Sequence, residues 1–240
     1  MRPQFQGLLL TLAFSFAMAL SLAVALICIS YLRDDFMTVP PIETDPPTES
    51  NSQIESDEPT ESMTEKESEE LLPDGLRFAS NGDGTCRLVS LGNCTDACVV
   101  IPDFSPAGDR VTVIDARAFY GSATVTAIQI PSSVRSIGEL AFADCKNLMY
   151  ISVSVQNAVY CDVDGVLYTA DERMLIQYPP KRAGEEIVIR GVTVEICDMA
   201  FYNCATLVRV IFTGTAEQWE NIRIGTKNYS LSAASKTFGG

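Results

Sequence analysis

Two adjacent stretches, VTVIDARAFYGSATVTAIQIPSS (111–133) and VRSIGELAFADCKNLMYISVSVQ (134–156), align without a gap at a period of 23 residues, and TVEICDMAFYNCATLVRVIFTG (193–214) repeats the pattern. Ile114, Ile137 and Ile196 correspond, as do the Ala-Phe pairs ending at Phe119, Phe142 and Phe201. Further matches are Val125, Leu148 and Leu207, then Ile128, Ile151 and Val210, then Ile130, Val153 and Phe212. A unit this short cannot bury its own apolar face. Neighbouring copies must stack and share one interior, which is the sequence signature of a solenoid.

Within the unit, the alternation in Ile128-Gln129-Ile130 reads as a short strand with one face inward. The Ala-Phe segment reads as a turn of helix on the opposite side, its alanine letting the coils approach while the phenylalanine fills the core. The same template predicts strands at Ile187-Val188-Ile189 and Val99-Val100-Ile101, for about five rungs. Between Ile151 and Ile187 the spacing is 36 instead of 23, and Asp164-Gly165 lies between alternating apolar residues. A two- or three-stranded hairpin excursion is expected there.

The pattern of Ile, then Ala-Phe, then a Cys-containing turn, then Leu and a strand ending near Pro-Ser-Ser resembles the BspA-type leucine-rich repeats of microbial surface proteins. Similar to that family too are the opening GDGTCRLVSLGNCTDACVVIP, the excursion DGVLYTADERMLIQYPP and the closing FTGTAEQWENIRI, so the likeness spans about 73–228. The resemblance implies adhesion to matrix, host cells or other microbes, although adhesive members often carry many more repeats. The expected architecture is an α/β solenoid: a short leucine-rich-repeat right-handed superhelix with an inserted β-hairpin, preceded by one transmembrane helix and a disordered linker.

That preceding sequence divides sharply. Residues 7–32 carry no charge over 26 positions, more than the roughly 20 that span a bilayer. Arg2 lies before the apolar run and the acidic tract after it, which predicts a cytoplasmic stub at 1–6 and an exported C-terminal domain. Ala17-Met18-Ala19 and Ala23-Val24-Ala25 offer the alternative of a cleaved signal peptide, but the run is longer than a usual signal core. Cys28 reads as a buried thiol, since Ala25-Leu26-Ile27 lacks the small residue of a lipoprotein site. Residues 33–72 hold 13 acids against Arg33 and Lys66, a net of −11, and are rich in Pro, Ser and Thr. Such a tract reads as a disordered stalk. Residues 73–240 then form the repeat domain, with 18 acids and 14 bases.

Charge and composition also exclude functions. A net charge of −14 offers no basic footprint for nucleic acid. The chain has no histidine, which removes Ser-His, Cys-His and Cys/His zinc schemes. Cys145 and Cys204 share one repeat position and read as buried structural thiols. Cys86, Cys94 and Cys98 fit a cap disulfide or plain burial better than a metal site. Asp162-Val163-Asp164-Gly165 lacks the later glutamate of a calcium loop, and Asn81-Gly82-Asp83-Gly84 reads as a turn. Thr215-Ala216-Glu217-Gln218 is a capping-box sequence, placing Trp219 and Ile222 on one face of a sealing helix. Asn93 and Asn228 head glycan sequons that would matter only in a eukaryote. Ser232 and Lys236 lie in a small-residue tail, SLSAASKTFGG, that reads as a disordered terminus.

No catalytic, cofactor or metal residue emerges. The expected function is a non-catalytic membrane-anchored surface protein that contacts an extracellular protein or glycan, with an envelope protein binding a membrane neighbour in cis as the alternative. The residues expected to face a partner are Gln129, Ser152, Val188 and Arg209 on strands, and Tyr168 and Tyr178 on the excursion.

Overall fold

The computed structural model describes residues 75–239. The expected membrane helix and stalk lie outside the described residues. Within them, no helix is long and apolar enough to cross a membrane.

The chain winds as a β-solenoid of about six turns, one more than the period suggests. Each turn contributes one strand to each of two faces. On the first face these are β2 (Thr85–Ser90), β4 (Arg110–Ile114), β6 (Ser136–Ile137), β10 (Met174–Gln177), β12 (Glu195–Ile196) and β14 (Arg223–Ile224). On the second they are β3 (Cys98–Val100), β5 (Ala127–Ile130), β7 (Tyr150–Val153), β11 (Glu186–Ile189), β13 (Arg209–Phe212) and β15 (Ser235–Phe238). Within turns one to three, and again within turns four to six, neighbouring turns pair in parallel, so Ile128 sits opposite Ile151, and Ile187 opposite Val210. This is the register the 23-residue period demands. β1 (Arg77–Ser80) folds back antiparallel on β2 and covers the N-terminal edge.

Between the strands, the Ala-Phe segments are turns and contain no helix. The reason lies in the backbone: Arg117, Leu140 and Met199, each two residues before the core phenylalanine, have φ of 61°, 58° and 55°. Two residues after it, Gly121, Asp144 and Asn203 have φ of 74°, 56° and 59°. Left-handed residues at both positions cannot propagate an α-helix and instead turn the chain sharply. The alanines do allow close approach. Phe119 N donates to Ala141 O at 2.8 Å, and a side chain at Gly138 would collide with the backbone of Ala116.

The excursion is the expected hairpin, β8 (Tyr160–Val163) and β9 (Val166–Thr169), turned at Asp164 and Gly165 with φ of 51° and 82°. β9 also pairs antiparallel with β10, which pairs in parallel with β12, so the third strand of the excursion is already the next turn of the solenoid. The hairpin tip docks on the open edge of β7. Gly165 O accepts from Ile151 N at 3.0 Å, and the Asp162 carboxylate accepts from Val153 N at 2.8 Å. Those amides would otherwise be an unpaired strand edge.

The hairpin also divides the interior. Phe119 stacks on Phe142 in one core, and Phe201 stacks on Tyr178 in the other, with centroids 5.4 and 5.0 Å apart. Tyr178 is therefore the aromatic of the fourth turn. It stands 23 residues before Phe201, and its amide donates to Ala200 O as that of Phe119 does to Ala141 O.

At the C-terminus, α1 (Ala216–Glu220) begins with the anticipated capping box at Thr215 and Gln218. Trp219 meets Phe212 edge-on at 5.3 Å, and Ile222 is buried. The tail does not match the expected disorder. It forms α2 (Tyr229–Ala233) and β15, which pairs with β13 and completes the sixth turn. Lys236 Nζ donates to Leu231 O, Ser232 O and Ala234 O, and so ties off the end of α2.

Candidate binding surfaces

A strand of the second face sends alternate residues inward and outward, so register determines which outward residues meet. Gln129 lies beside Ser152, and both are half-buried. Val188 lies beside Ile211, and Glu186 beside Arg209, with Arg209 and Glu186 forming an ion pair of 2.8 Å. Val188 is 51% exposed. Four of the six residues expected to contact a partner thus lie on one face, as two pairs on separate three-stranded sheets. Tyr168 and Tyr178 do not: both are buried, at 3% and 0% exposure. Tyr168 fills the base of the excursion and Tyr178 the fourth turn's interior, and burial pushes both phenols above their usual range.

A second feature was not anticipated. In turns two, three and five, the strand isoleucine stands five positions before the core phenylalanine. In turn four, Leu175 is paired with Ile196 and stands only three positions before Tyr178. The corner is two residues short. A cleft of about 400 Å³ opens there, between Gly138 to Phe142 of the third turn, Ile176 and Gln177 of the fourth, and Cys197 and Asp198 of the fifth. Gln177 partly fills the gap, its Nε2 donating to Tyr178 O and Ala200 O at 3.0 and 3.1 Å. The signal was available in the sequence as a mismatch: Phe142, Tyr178 and Phe201 keep the intervals 36 and 23, but the apolar residue five before Tyr178 is replaced by Arg173.

The thiols are structural. Cys145 Sγ donates to Phe119 O at 3.1 Å and Cys204 Sγ to Tyr178 O at 3.9 Å, the same contact one turn back in each case. Burial pushes both thiols up to about 12, far from the thiolate a nucleophile needs. No disulfide joins Cys86, Cys94 and Cys98, and among the described residues no group of side chains could hold a metal. Asn228 is buried with its amide engaged at Cys197 O, Gly225 O and Phe201 N, which leaves no room for a glycan.

Residues 103–160 match the family model described as "BspA type Leucine rich repeat region (6 copies)". Residues 103–160 are therefore similar to BspA-type leucine-rich repeats. The match covers the second and third turns and the start of the excursion, where the 23-residue period is most regular.

The chain is similar to a leucine rich cell surface protein of Faecalibacterium prausnitzii A2-165, with 30% identity over 54% of this chain and 37% of that one and a TM-score of 0.44. A leucine-rich repeat protein of Bacteroides ovatus has 27% identity over 59% and 40%, with a TM-score of 0.40. The leucine rich repeat protein of T. pallidum has 21% over 62% and 78%, with a TM-score of 0.41. The chain thus spans less than half the length of the first two. Among curated proteins there is no match.

Proposed function

We propose that the protein is a membrane-anchored surface module that binds a macromolecular partner, protein or glycan, through the outward side of its second face and performs no chemistry itself. Leucine-rich-repeat proteins generally bind protein partners and are generally non-enzymatic. The apolar segment 7–32 would hold the chain in the membrane with its N-terminus in the cytoplasm, and the acidic stalk 33–72 would carry the repeats away from it.

The observation that carries the reading is the Val188–Ile211 pair. Two adjacent β-branched side chains point outward from a sheet whose inward side already has a complete core, Val188 half exposed and Ile211 partly so. Flanked by the Arg209–Glu186 ion pair, they make an apolar centre with a charged rim, the usual anatomy of a contact surface.

The test replaces Val188 and Ile211 together with aspartate in the full-length chain and measures binding to immobilised matrix proteins, glycans and whole cells. Loss of binding at unchanged thermal stability supports the reading, and unaltered binding removes this face from it. Co-purification of a neighbouring membrane protein from native membranes, without matrix or cell binding, would assign the cis envelope role instead. Release of the full-length protein by carbonate would remove the anchor.

A further inference from the structure

We infer that the short corner of the fourth turn is a recognition notch for an extended peptide segment of a partner protein bearing a basic side chain; this deepens the protein-binding reading and rests on it. At complete corners, backbone amides of one turn donate to alternate acceptors of the next. Arg117 N reaches Glu139 O at 3.1 Å and Phe119 N reaches Ala141 O at 2.8 Å. Met199 N likewise reaches Thr226 O at 2.9 Å, and Phe201 N reaches Asn228 Oδ1 at 2.8 Å. The equivalent donors of the third turn are Leu140 N and Phe142 N, which face the two-residue gap. Among the described residues neither has an acceptor.

Phe142 is 1% exposed, so an amide without a partner there is costly, on the order of 1–3 kcal/mol for a buried group. The missing acceptors are two carbonyls spaced i and i+2, the spacing an extended peptide presents on one edge. Charge selects among acceptors. The cleft is lined by Glu139, Glu195 and Asp198 against Arg223 alone, and Arg223 is already paired with Glu195. A carboxylate or phosphate is repelled, as is the chain's own tract 33–72 with its net −11. A neutral peptide carbonyl is accepted, and a neighbouring Lys or Arg side chain meets Glu139 and Asp198. The apolar floor at Ile137 and Ile176 suits the stem of such a side chain.

The test uses the full-length chain in lipid nanodiscs with ¹⁵N-labelled leucine and phenylalanine, titrated with Ac-Ala-Arg-Ala-NH2, Ac-Ala-Glu-Ala-NH2 and maltotriose. The arginine peptide is expected to shift the Leu140 and Phe142 amides at about one-tenth the concentration the glutamate peptide requires, as a close favourable charge pair gives. Glu139→Lys should reduce that preference. Inserting Glu-Leu between Ile176 and Gln177, which restores a full corner, should protect both amides from exchange and abolish the response. Equal responses to the two peptides, a response to maltotriose instead, no response at millimolar peptide, or a response surviving the insertion would each overturn the inference. Partner binding that persists through these failures but is lost on the Val188 and Ile211 substitutions would leave the proposed function standing.

Discussion

Turns one to three and turns four to six are built from the same unit, yet they resolve its weak points differently. In the first half the spacing is regular, the aromatic pair is Phe119 on Phe142, and the end is closed by the antiparallel strand β1. In the second half the first corner is short, the aromatic pair is Tyr178 on Phe201, and the end is closed by two short helices and β15. Between them the hairpin replaces one strand-to-strand ladder with a carboxylate and a carbonyl. A solenoid can therefore tolerate an insertion provided something supplies the hydrogen-bond partners that the displaced turn no longer offers.

Buried amides mark the places where this happens. Asn157, at the start of the excursion, donates to Pro131 O and Val134 O and accepts from Val159 N and Tyr160 N. Asn228 does the same work at the last turn, and Gln177 at the short corner. Each side chain substitutes for backbone that a regular repeat would have provided.

The comparison can be broken most forcefully at the aromatic pairs. Phe142→Ala and Phe201→Ala should each cost about 3–5 kcal/mol in chemical denaturation, as large-to-small core changes do. Hydrogen exchange should accelerate mainly in the first half for the former and mainly in the second for the latter; acceleration throughout both would mean that the hairpin does not divide the core. Next come the amides. Asn157→Ala leaves buried donors and acceptors without partners and should cost about 2–3 kcal/mol, read from the denaturant midpoint. Asn157→Asp, which sets a buried carboxylate oxygen against the Pro131 and Val134 carbonyls, should cost at least as much at neutral pH.

Smaller effects sharpen the picture of the seam. Gly165 has φ of 82° and packs against the Tyr150 ring, so Gly165→Ala should cost roughly 1–3 kcal/mol and loosen β7 before the rest. The smallest effect concerns Asp162. Burial lifts its carboxyl above the usual range, outweighing the amides of Val153 and Gly165 and the Tyr150 hydroxyl, which favour the anion. A folded state that holds the proton more tightly than the unfolded chain is favoured below the ordinary carboxyl range. That advantage is lost as pH rises through the raised value. Asp162→Asn should lack this step, so the stability difference between the two chains should change across that interval and be flat at neutral pH.

Much of this was legible in the residues because it depends on side chains that recur. The strands, the core phenylalanines, the hairpin at Asp164-Gly165 and the terminal capping box all announce themselves in spacing. What escaped has physical causes. The Ala-Phe corner mimics a helix in composition, and only the left-handed backbone at Leu140 and its equivalents decides against it. Tyr178 kept its interval from Phe201 but lost its usual companion five residues earlier, so a core ring passed for an exposed one. The tail SLSAASKTFGG holds only two large apolar residues, Leu231 and Phe238, because an end strand with a single neighbour needs few: Leu231 and Ala234 are the parts of it that are buried. The outward surface offers least to a sequence reading, since Gln129, Ser152, Val188 and Arg209 follow no periodic rule of their own.

The central claim is that six stacked turns share an interior split in two at the hairpin, with Tyr178 as the aromatic of the fourth. The most direct check is a nuclear Overhauser map of the ring protons in the full-length chain. Cross-peaks should join Phe119 to Phe142 and Tyr178 to Phe201. A Tyr178 ring with solvent contacts and no cross-peak to Phe201 would contradict the account.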